Sequence, residues 1–275
     1  KSRLKGGGFY CHLFYFNRIT FPLKLISFMK NQKNKMIGIV GGMGPYAGLD
    51  LARKIFDLTQ AKKDQDHVPL TLISNPERIE DRTEFILGKT EINPGIEISK
   101  IIKQLVDQGA KVIGMPCNTA HSEKIITEIN NFPKNVQFIN MISEVVKCIQ
   151  KKYSRAKRIG LLATSGTISS EVYNEEIESN DLSIVLLSEE DQKKLIDDAI
   201  YNEKIGIKSN SNPVHSDAKM KISLAIKKLI TKKSDIIILG CSELPLAIKS
   251  KSYNSIPLLD STEILASSLL KKSIE

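Results

Sequence analysis

The sequence contains an internal duplication, and this repeat limits the folds that the chain can adopt. The segment KMIGIVGGMGP at 35–45 resembles RIGLLATSGT at 158–167, and the segments that end at Cys117 and Cys241 also resemble each other. The two cysteines are 124 residues apart, and the other paired landmarks keep nearly the same offset. A repeat of this size predicts two halves of one design, related by a pseudo-twofold axis, with a cleft between them.

Short apolar runs alternate with amphipathic segments in each half. In the first half, MIGIV at 36–40 and VPLTLIS at 68–74 predict strands, and YAGLDLARKIFDLTQ at 46–60 predicts the helix between them. The spacing of that helix predicts a buried face formed by Leu49, Ala52, Ile55 and Phe56. Strands that alternate with helices indicate a parallel sheet covered on both faces. The predicted fold class is therefore α/β, with two similar Rossmann-like parallel-sheet domains and a site in the cleft.

The predicted domain boundaries follow the repeat. We assign residues 36–142 to the first α/β half and residues 143–259 to the second, and we expect the C-terminal helix at 260–275 to join the first half. Residues 1–35 hold eight Lys or Arg and no Asp or Glu, so we treat them as a leader or extension outside the fold. A basic leader without acids is compatible with a targeting segment or a membrane-surface arm.

Charge and composition exclude several classes of partner. The formal net charge is +9 over 275 residues, but residues 36–275 hold 32 basic and 31 acidic side chains. A nearly neutral body does not favour a nucleic-acid partner, and no uncharged apolar run is long enough to predict a membrane span. Four cysteines are too few for a disulfide framework in a chain of this length, so the cytoplasm is the expected compartment. Neither CxxC nor HExxH spacing occurs, so no metal site is predicted.

Two short cysteine motifs occupy equivalent places in the repeat. PCNTAH at 116–121 follows the apolar run KVIGM, and GCSELP at 240–245 follows DIIIL. Both thiols should therefore lie at the carboxyl ends of buried strands, where open α/β sheets bind their ligands. If the halves face each other, the two sulfurs approach a bound molecule from opposite sides. One sulfur could remove a proton from a carbon while the other returns a proton to the opposite face, which inverts a stereocentre.

The chain from about residue 36 to its end resembles the aspartate/glutamate racemase superfamily, specifically its aspartate racemase branch. The resemblance rests on IGIVGGMGP at 37–45, NPERIEDRT at 75–83, PCNTAH at 116–121 and GCSELPL at 240–246. It implies racemisation of an acidic amino acid, aspartate first, by a cysteine thiol/thiolate pair that needs no metal, pyridoxal phosphate or other cofactor. It also implies that the two motif cysteines are catalytic and that the protein is a homodimer.

The sequence around the two cysteines predicts different protonation states. A free thiol has a pKa of about 8.5 and needs only modest help to ionise near neutrality. A helix that begins after Cys117 would favour a thiolate there, whereas the charge of Glu243 would keep Cys241 protonated. We therefore predict a Cys117 thiolate and a Cys241 thiol as the resting pair. A glutamate racemase would be expected to carry His where Glu243 stands.

The resemblance also implies which residues bind the substrate. Asn118, Thr119 and Ser242 flank the two sulfurs and are expected to hold the α-carboxylate, with Ser242 standing where the family usually has Thr. Arg82 resembles the arginine that grips the side-chain carboxylate, and a bidentate guanidinium suits that role. Glu243 completes the group of substrate contacts on the second cysteine motif.

A lysine normally shares the side-chain carboxylate with the arginine, within a stretch like IYNE-x-K-x-G. Here the sequence is IYNEKIG at 200–206, one residue short of that pattern. We therefore assign the role to Lys204, with Lys208 as the alternative.

The glycine loop after the first strand invites a different function. Gly42, Gly44 and Ala47 in this loop fit the dinucleotide fingerprint G-x-G-x-x-A. However, Pro45 lacks the backbone amide that a pyrophosphate would need. The second strand also ends in Ser74 and Asn75 instead of the acid that would hold a ribose hydroxyl. We therefore predict no cofactor. We expect the loop to shape the floor of the cleft, with Met43 as a lid or wall and with Met43 and Gly44 contacting the substrate.

Three functions remain open at this point. The first is an amino-acid racemase acting on aspartate, with glutamate or a broader set as alternatives. The second is another reaction on the same scaffold, such as isomerisation or decarboxylation of a small diacid. The third is a small-ligand-binding module that keeps the cleft without turnover, although intact cysteines in both halves argue against it.

Overall fold

The computed structural model describes residues 34–129 and 133–275, so nearly all of the predicted leader at 1–35 lies outside the described residues. The first part of the chain contains strands β1 (Ile37–Gly41), β2 (Leu70–Ser74), β3 (Val112–Gly114) and β4 (Gln137–Ile139), and helices α1 (Pro45–Leu58), α2 (Arg82–Ile86), α3 (Gly95–Asp107) and α4 (Glu123–Ile126). Strands β1 and β3 are fully buried, as their continuous apolar sequences require.

The second part of the chain follows the same plan with additional short elements. Its strands are β5 (Arg158–Leu162), β6 (Ser183–Val185), β7 (Ile236–Leu239), β8 (Ser252–Tyr253) and β9 (Ile256–Asp260). Its helices are α5 (Met141–Lys152), α6 (Ser165–Ser169), α7 (Asn174–Glu178), α8 (Glu189–Asp191), α9 (Asp198–Tyr201), α10 (Ser216–Thr231), α11 (Leu244–Ala247) and α12 (Ser261–Ile274). A π-helical segment, Gln192–Asp197, joins α8 to α9.

The two sheets have the same strand order. The first is β2-β1-β3-β4, and the second is β6-β5-β7-β9, extended at its edge by β8. All pairings are parallel except the hairpin between β8 and β9. The predicted α/β class with two similar parallel sheets is therefore confirmed, and the sequence repeat corresponds to a repeat of topology.

Equivalent glycines support the same conclusion. A Cβ added at Gly38 in β1 would lie 2.7 Å from Cδ1 of Ile113, and one added at Gly160 in β5 would lie 2.8 Å from Oγ of Ser234. Both distances are shorter than a van der Waals contact, so the neighbouring chain packs directly against these backbones. The duplicated glycines thus have one packing role in both sheets.

Two helices close the sheets and link them to each other. Helix α5 follows β4 but packs into the apolar cluster of the second sheet, where Val145 and Val146 meet Ile159. Helix α12 follows β9 but packs into the cluster of the first sheet, where Leu265 and Leu269 join Ile37 and Leu51. The predicted helix at 260–275 therefore contacts the first sheet, and each helix crosses from one sheet to the other.

The predicted buried face of α1 is largely wrong. Ile55 is buried, but Leu49 and Phe56 are 55% and 39% exposed, and the buried stripe instead contains Ala47 and Leu51. Helix α1 packs against both β1 and α12, so its buried stripe is rotated from the one that an isolated amphipathic helix would show.

Within the described residues, no helix is long and apolar enough to cross a membrane.

Candidate active site

A narrow cavity opens beyond the carboxyl ends of β3 and β7, and residues of both sequence repeats line it. Its empty volume is about 300 Å³, including the part open to solvent. The lining residues are Met43, Arg82, Thr83, Cys117, Asn118, Thr119, Thr164, Thr167, Tyr201, Lys208, Gly240, Cys241, Ser242 and Glu243. The two cysteines thus share one cavity, where loops after parallel strands bind ligands in open α/β sheets.

Cys117 is buried beside a cation. The guanidinium of Arg82 lies within hydrogen-bonding reach of its sulfur, and the backbone amide of Ala120 also points to it. Burial raises the pKa of Cys117 above its ordinary value, and Arg82 and Ala120 oppose that rise only in part. The surroundings of Cys117 therefore oppose the predicted thiolate, because burial outweighs the favourable charge of Arg82.

The helix predicted after Cys117 is much shorter than expected. A three-residue 3₁₀ turn, Thr119–His121, follows the cysteine, and α4 is only four residues long. The dipole of so short a segment is small, because the dipole grows with the number of aligned peptide units. The local help for a thiolate comes instead from Arg82 and a single amide, which the cysteine motif alone did not indicate.

Cys241 is buried beside an anion. Its thiol donates a hydrogen bond to Oε2 of Glu243 at 3.0 Å, and the amide of Gly44 donates to Oε1 of the same carboxylate at 3.1 Å. Burial raises the pKa of Cys241 well above its ordinary value, and the charge of Glu243 raises it further. Cys241 is therefore the harder of the two thiols to ionise, which is the predicted order.

The residues expected to flank the sulfurs all lie at the cavity. Ser242 lines it and donates to Oε2 of Glu243 at 3.4 Å, while Met43 lines the side formed by the first glycine loop. Gly44 is not among the lining residues, but its amide fixes Glu243 from the first repeat. Ser242 and Glu243 thus lie together beside Cys241.

Asn118 is oriented by a residue that sequence reasoning missed. The buried hydroxyl of Tyr173 donates to Oδ1 of Asn118 at 2.6 Å, and Nδ2 of Asn118 donates to Oγ of Ser261 at 3.4 Å. Ser261 in turn donates to the carbonyl of Leu239 at 2.8 Å, at the end of β7. These contacts hold the Asn118 amide in one orientation at the cavity.

A group of hydroxyls also lines the cavity. Thr119 Oγ1 lies 2.7 Å from Thr167 Oγ1, and Thr83 Oγ1 lies 2.8 Å from the hydroxyl of Tyr201. Thr164 lies 3.1 Å from Thr167 and completes the group. Of these five residues, sequence analysis proposed only Thr119. The repeat could have indicated Thr164 and Thr167, because ATSGT stands in the place of the glycine loop of the first half.

Arg82 is enclosed at the cavity wall. Its side chain is buried, its Nη1 donates to the carbonyl of Glu80 at 3.0 Å, and its Nε has no hydrogen-bond partner among the described residues. A buried guanidinium with an unpaired donor is suited to bind a carboxylate, because an unsatisfied buried donor is costly. The position of Arg82 is therefore compatible with the predicted carboxylate contact.

The structure corrects the choice of lysine. Lys204 is exposed and does not line the cavity, because residues 202–206 form a turn in which the Lys204 amide donates to Oδ1 of Asn202 at 2.9 Å. Lys208 lines the cavity instead. Its Nζ lies 3.0 Å from Oδ2 of Asp81 and 4.4 Å from the ring centroid of Tyr201. Of the two candidate lysines, Lys208, the alternative assignment, is therefore the one that lines the cavity.

His121 belongs to the framework behind the site. Its Nδ1 pairs with the carbonyl of Cys117 at 2.9 Å, and its Nε2 accepts from the amide of Met141 at 3.2 Å. Burial lowers the pKa of His121 to about 4, so the ring is neutral at pH 7 with its proton on Nδ1.

Among residues 34–129 and 133–275, no cluster of three His, Cys, Asp or Glu side chains could hold a metal ion.

Comparison with known proteins identifies relatives of the whole described region. A family model described as Asp/Glu/Hydantoin racemase matches residues 40–269. The aspartate racemase of Picrophilus torridus superposes with a TM-score of 0.72 at 33% identity, covering 87% of this chain and 94% of that chain. An aspartate racemase homologue from Pyrococcus horikoshii OT3 gives a TM-score of 0.63 at 25% identity, covering 88% of this chain and 100% of that chain. The broad specificity amino-acid racemase RacX of Bacillus subtilis is 27% identical over 242 residues, which is 85% of this chain and 96% of that protein.

Proposed function

Since the chain belongs to the Asp/Glu/hydantoin racemase family, and is thus an amino-acid racemase, we propose that it interconverts the enantiomers of aspartate with Cys117 and Cys241 as the two proton carriers. One observation carries this proposal. Two buried thiols from equivalent positions of the repeat line the same cavity, one beside a cation and the other beside an anion. A pair with opposite surroundings supports a division of labour between a base and an acid.

The proposed reaction transfers one proton at each face of Cα. The thiolate of one cysteine removes the α-proton, and the electron pair that is left behind delocalises onto the α-carboxylate. The thiol of the other cysteine then donates its proton to the opposite face of Cα, which gives the other enantiomer. The two sulfurs finish with exchanged protonation states, and proton transfer with solvent or the reverse reaction restores them. No atom is lost or gained by the substrate.

The charges near the two sulfurs suit these roles. Arg82 beside Cys117 favours the thiolate, and Glu243 beside Cys241 favours the thiol. Burial raises the pKa values of both thiols above their ordinary value. Aspartate carries a net charge of about −1, so its binding does not favour the thiolate through net charge; we propose that its α-ammonium, which is bonded to Cα, stabilises the nearby thiolate locally.

Substrate binding is proposed to use the polar groups around the cavity. Asn118, Thr119 and Ser242 line the same cavity as the two sulfurs and would donate to the α-carboxylate. Of residues 34–129 and 133–275, Arg82 and Lys208 are the two cations that line the cavity, and they would hold the side-chain carboxylate of aspartate. The aspartate racemase among the similar structures supports this substrate.

Broader specificity is the second candidate. The Bacillus subtilis relative is a broad specificity amino-acid racemase, and a glutamate racemase from Levilactobacillus brevis is 24% identical over 185 residues. In this chain, Lys208 already forms an ion pair with Asp81. Lys208 should therefore attract the carboxylate of an acidic substrate side chain less strongly than an unpaired lysine would.

The homodimer that the family resemblance implies stays a prediction. Light scattering at several protein concentrations would measure the molecular mass and test it.

Incubation with L-aspartate in deuterated water tests the reaction class. A racemase incorporates deuterium at Cα and the optical rotation disappears, a decarboxylase releases carbon dioxide, and a binding module does neither. The proposal predicts deuterated D-aspartate as the product. Deuterium incorporation with full retention of configuration in the wild-type enzyme would contradict the two-base mechanism.

Single cysteine variants test the two proton carriers. In Cys241→Ser, Cys117 can still remove and return a proton on its own face, so one enantiomer should exchange its α-proton without inverting. Cys117→Ser should show the same behaviour with the other enantiomer. Racemisation should fall at least about a hundredfold in both variants. The matched control is Cys148→Ser, which changes a half-buried thiol on α5 and should leave the rate unchanged.

A further inference from the structure

An ion pair stands at the solvent-exposed edge of the cavity and joins the two sequence repeats. Oδ2 of Asp81 lies 3.0 Å from Nζ of Lys208, and the two side chains are 26% and 30% exposed. Asp81 immediately precedes α2 in the first repeat, whereas Lys208 follows α9 in the second. Lys208 lines the cavity, and Asp81 holds it from outside the lining.

Asp81 is fixed in place by its own helix. Its Oδ1 caps α2 by accepting from the amides of Thr83 and Glu84 at 2.8 and 3.1 Å, so Oδ2 is left to pair with Lys208. Burial alone would raise the pKa of Asp81, but Lys208 and Arg82 more than compensate and its net pKa is lowered. Asp81 is therefore an ionised, immobile anion at neutral pH.

Lys208 is held on a second side by an aromatic ring. Its Nζ lies 4.4 Å from the ring centroid of Tyr201, and the Tyr201 hydroxyl lies 2.8 Å from Oγ1 of Thr83. The ammonium group therefore rests between a carboxylate and the face of a ring, two arrangements that stabilise a cation. A substrate carboxylate that reaches Lys208 must share or replace the contact with Asp81.

The other cation of the cavity has a different environment. Arg82 is buried next to Cys117, and within the part of the chain that the structure describes its Nε has no hydrogen-bond partner. A carboxylate that binds Arg82 displaces no other carboxylate, but one that binds Lys208 competes with Asp81. The two cations thus differ in how much they favour an additional negative charge on the substrate.

We propose that Asp81 is a specificity-determining residue that competes with the side-chain carboxylate of the substrate for Lys208. Asp81 thereby lowers the preference of the enzyme for acidic over neutral amino acids. This inference rests on the proposed racemisation of amino acids in this cavity. The ligand class that it concerns is an amino acid whose side chain ends in a carboxylate or in its neutral amide.

L-Aspartate and L-asparagine are the appropriate pair of probes, because they have nearly the same shape and differ in side-chain charge. In Asp81→Asn, the amide oxygen can still cap α2 while the competing charge is removed. The ratio of kcat/KM for aspartate to kcat/KM for asparagine should rise about two- to fivefold, the range expected for a partly exposed ion pair. Asp81→Ser, which also retains a capping oxygen, should shift the ratio in the same direction.

Lys208→Met provides the matched background. If Asp81 acts through Lys208, Asp81→Asn should change the aspartate-to-asparagine ratio in the wild type and leave it unchanged in Lys208→Met. A ratio that falls in Asp81→Asn would mean that Asp81 orients Lys208 toward the substrate, and would overturn the proposal. An equal loss for both substrates would assign Asp81 a capping role alone and would overturn it as well.

Equilibrium binding separates this inference from the proposed function. Calorimetric titration of the full-length Cys117→Ser/Cys241→Ser protein with the two probes measures the same preference without turnover. Suppose that the wild-type protein exchanges no α-proton, but that adding Asp81→Asn to the double cysteine variant raises its affinity for aspartate relative to asparagine. The proposed function then fails, and the role of Asp81 in substrate preference stands. If Asp81→Asn leaves the relative affinity unchanged, or if aspartate does not bind at all, the role of Asp81 is rejected.

Discussion

The carboxylate of Glu243 lies 3.0 Å from the sulfur of Cys241 and accepts the hydrogen bond of its thiol. The other oxygen of that carboxylate is held by the amide of Gly44, in the glycine loop of the first repeat. Burial raises the pKa of Cys241, and the negative charge of Glu243 adds to that rise. Glu243 therefore acts on the proton of Cys241, and its position depends on contact between the two repeats.

Glu243→Gln should narrow the pH profile of racemisation from the alkaline side. The reactive enzyme has one thiolate and one thiol, so activity falls at low pH when both are protonated and at high pH when neither is. Glu243 accepts the hydrogen bond of the Cys241 thiol, whereas at Cys117 the charge of Arg82 outweighs that of Glu243. Without its charge, Cys241 loses its proton at lower pH, and the alkaline limb should move down further than the acid limb. The pH dependence of kcat/KM is the measurement.

Two controls accompany that profile. Glu144→Gln changes a carboxylate on α5 that bonds to Ser268 and lies outside the cavity lining, and it should leave both limbs in place. Because the two enantiomers of a free amino acid have equal energy, kcat/KM must be equal in both directions for every variant. Limbs that do not move in Glu243→Gln would mean that Glu243 only supports the loop.

Lys208→Met should impair the racemisation of aspartate, and Lys204→Met should not. Lys208 lines the cavity, whereas Lys204 is exposed on a turn. Loss of one charge-assisted hydrogen bond at a partly exposed site should lower kcat/KM for aspartate about tenfold, mainly through KM. The opposite result, with Lys204→Met impaired and Lys208→Met normal, would restore the assignment made from the sequence pattern.

The contrast between the two lysines shows where sequence reasoning succeeds in this protein. The positions of Cys117 and Cys241 could be predicted because each follows an apolar strand, and the repeat supplies each position twice. Gly38 and Gly160 were recognisable for the same reason. Such features depend on local periodicity and on chain order, which the sequence displays directly.

Other parts of the site depend on contacts between distant segments, which no local pattern encodes. Thr83 meets Tyr201 across 118 positions of sequence, and Asp81 meets Lys208 across 127. Which lysine reaches the cavity depends on a turn whose geometry a spacing rule cannot determine. The misassigned face of α1 has the same cause, because α12 returns from the far end of the chain to pack against it.

Tyr173→Phe should lower both activity and stability. The Tyr173 hydroxyl donates to Oδ1 of Asn118 at 2.6 Å in a fully buried position. Its removal leaves a buried amide oxygen unsatisfied, which should cost about 1–3 kcal/mol in the free energy of unfolding. It also frees the Asn118 amide to rotate away from the substrate, so kcat/KM should fall while the acid and alkaline limbs of the pH profile stay in place.

Denaturant unfolding and steady-state kinetics check the two effects of that variant. Tyr153→Phe is the matched control, because Tyr153 packs at the half-buried edge of the same apolar cluster. That change should leave kcat/KM unaltered. Loss of stability in Tyr173→Phe without any loss of activity would show that the orientation of Asn118 does not matter for the reaction.

His121 should make the protein less stable as the pH falls from about 6.5 to about 4. Its ring is buried, with Nδ1 paired to the Cys117 carbonyl and Nε2 accepting from the Met141 amide, and burial lowers its pKa from 6.5 to about 4. In the unfolded chain the ring binds a proton near pH 6.5, whereas the folded protein resists protonation until about pH 4. Protons therefore favour the unfolded state across this window. The loss should reach about 3 kcal/mol and then level off below pH 4.

The free energy of unfolding measured against pH, for the wild type and His121→Asn, isolates this contribution. The variant has no imidazole to titrate, so its stability should fall about 3 kcal/mol less than that of the wild type between pH 6.5 and pH 4. Its stability at pH 7 should be lower, because the hydrogen bonds from position 121 to the Cys117 carbonyl and to the Met141 amide are weakened. If the two curves of stability against pH are parallel, the ring protonates freely in the folded state. The neutral ring would then not be needed for the hydrogen bonds to the Cys117 carbonyl and the Met141 amide.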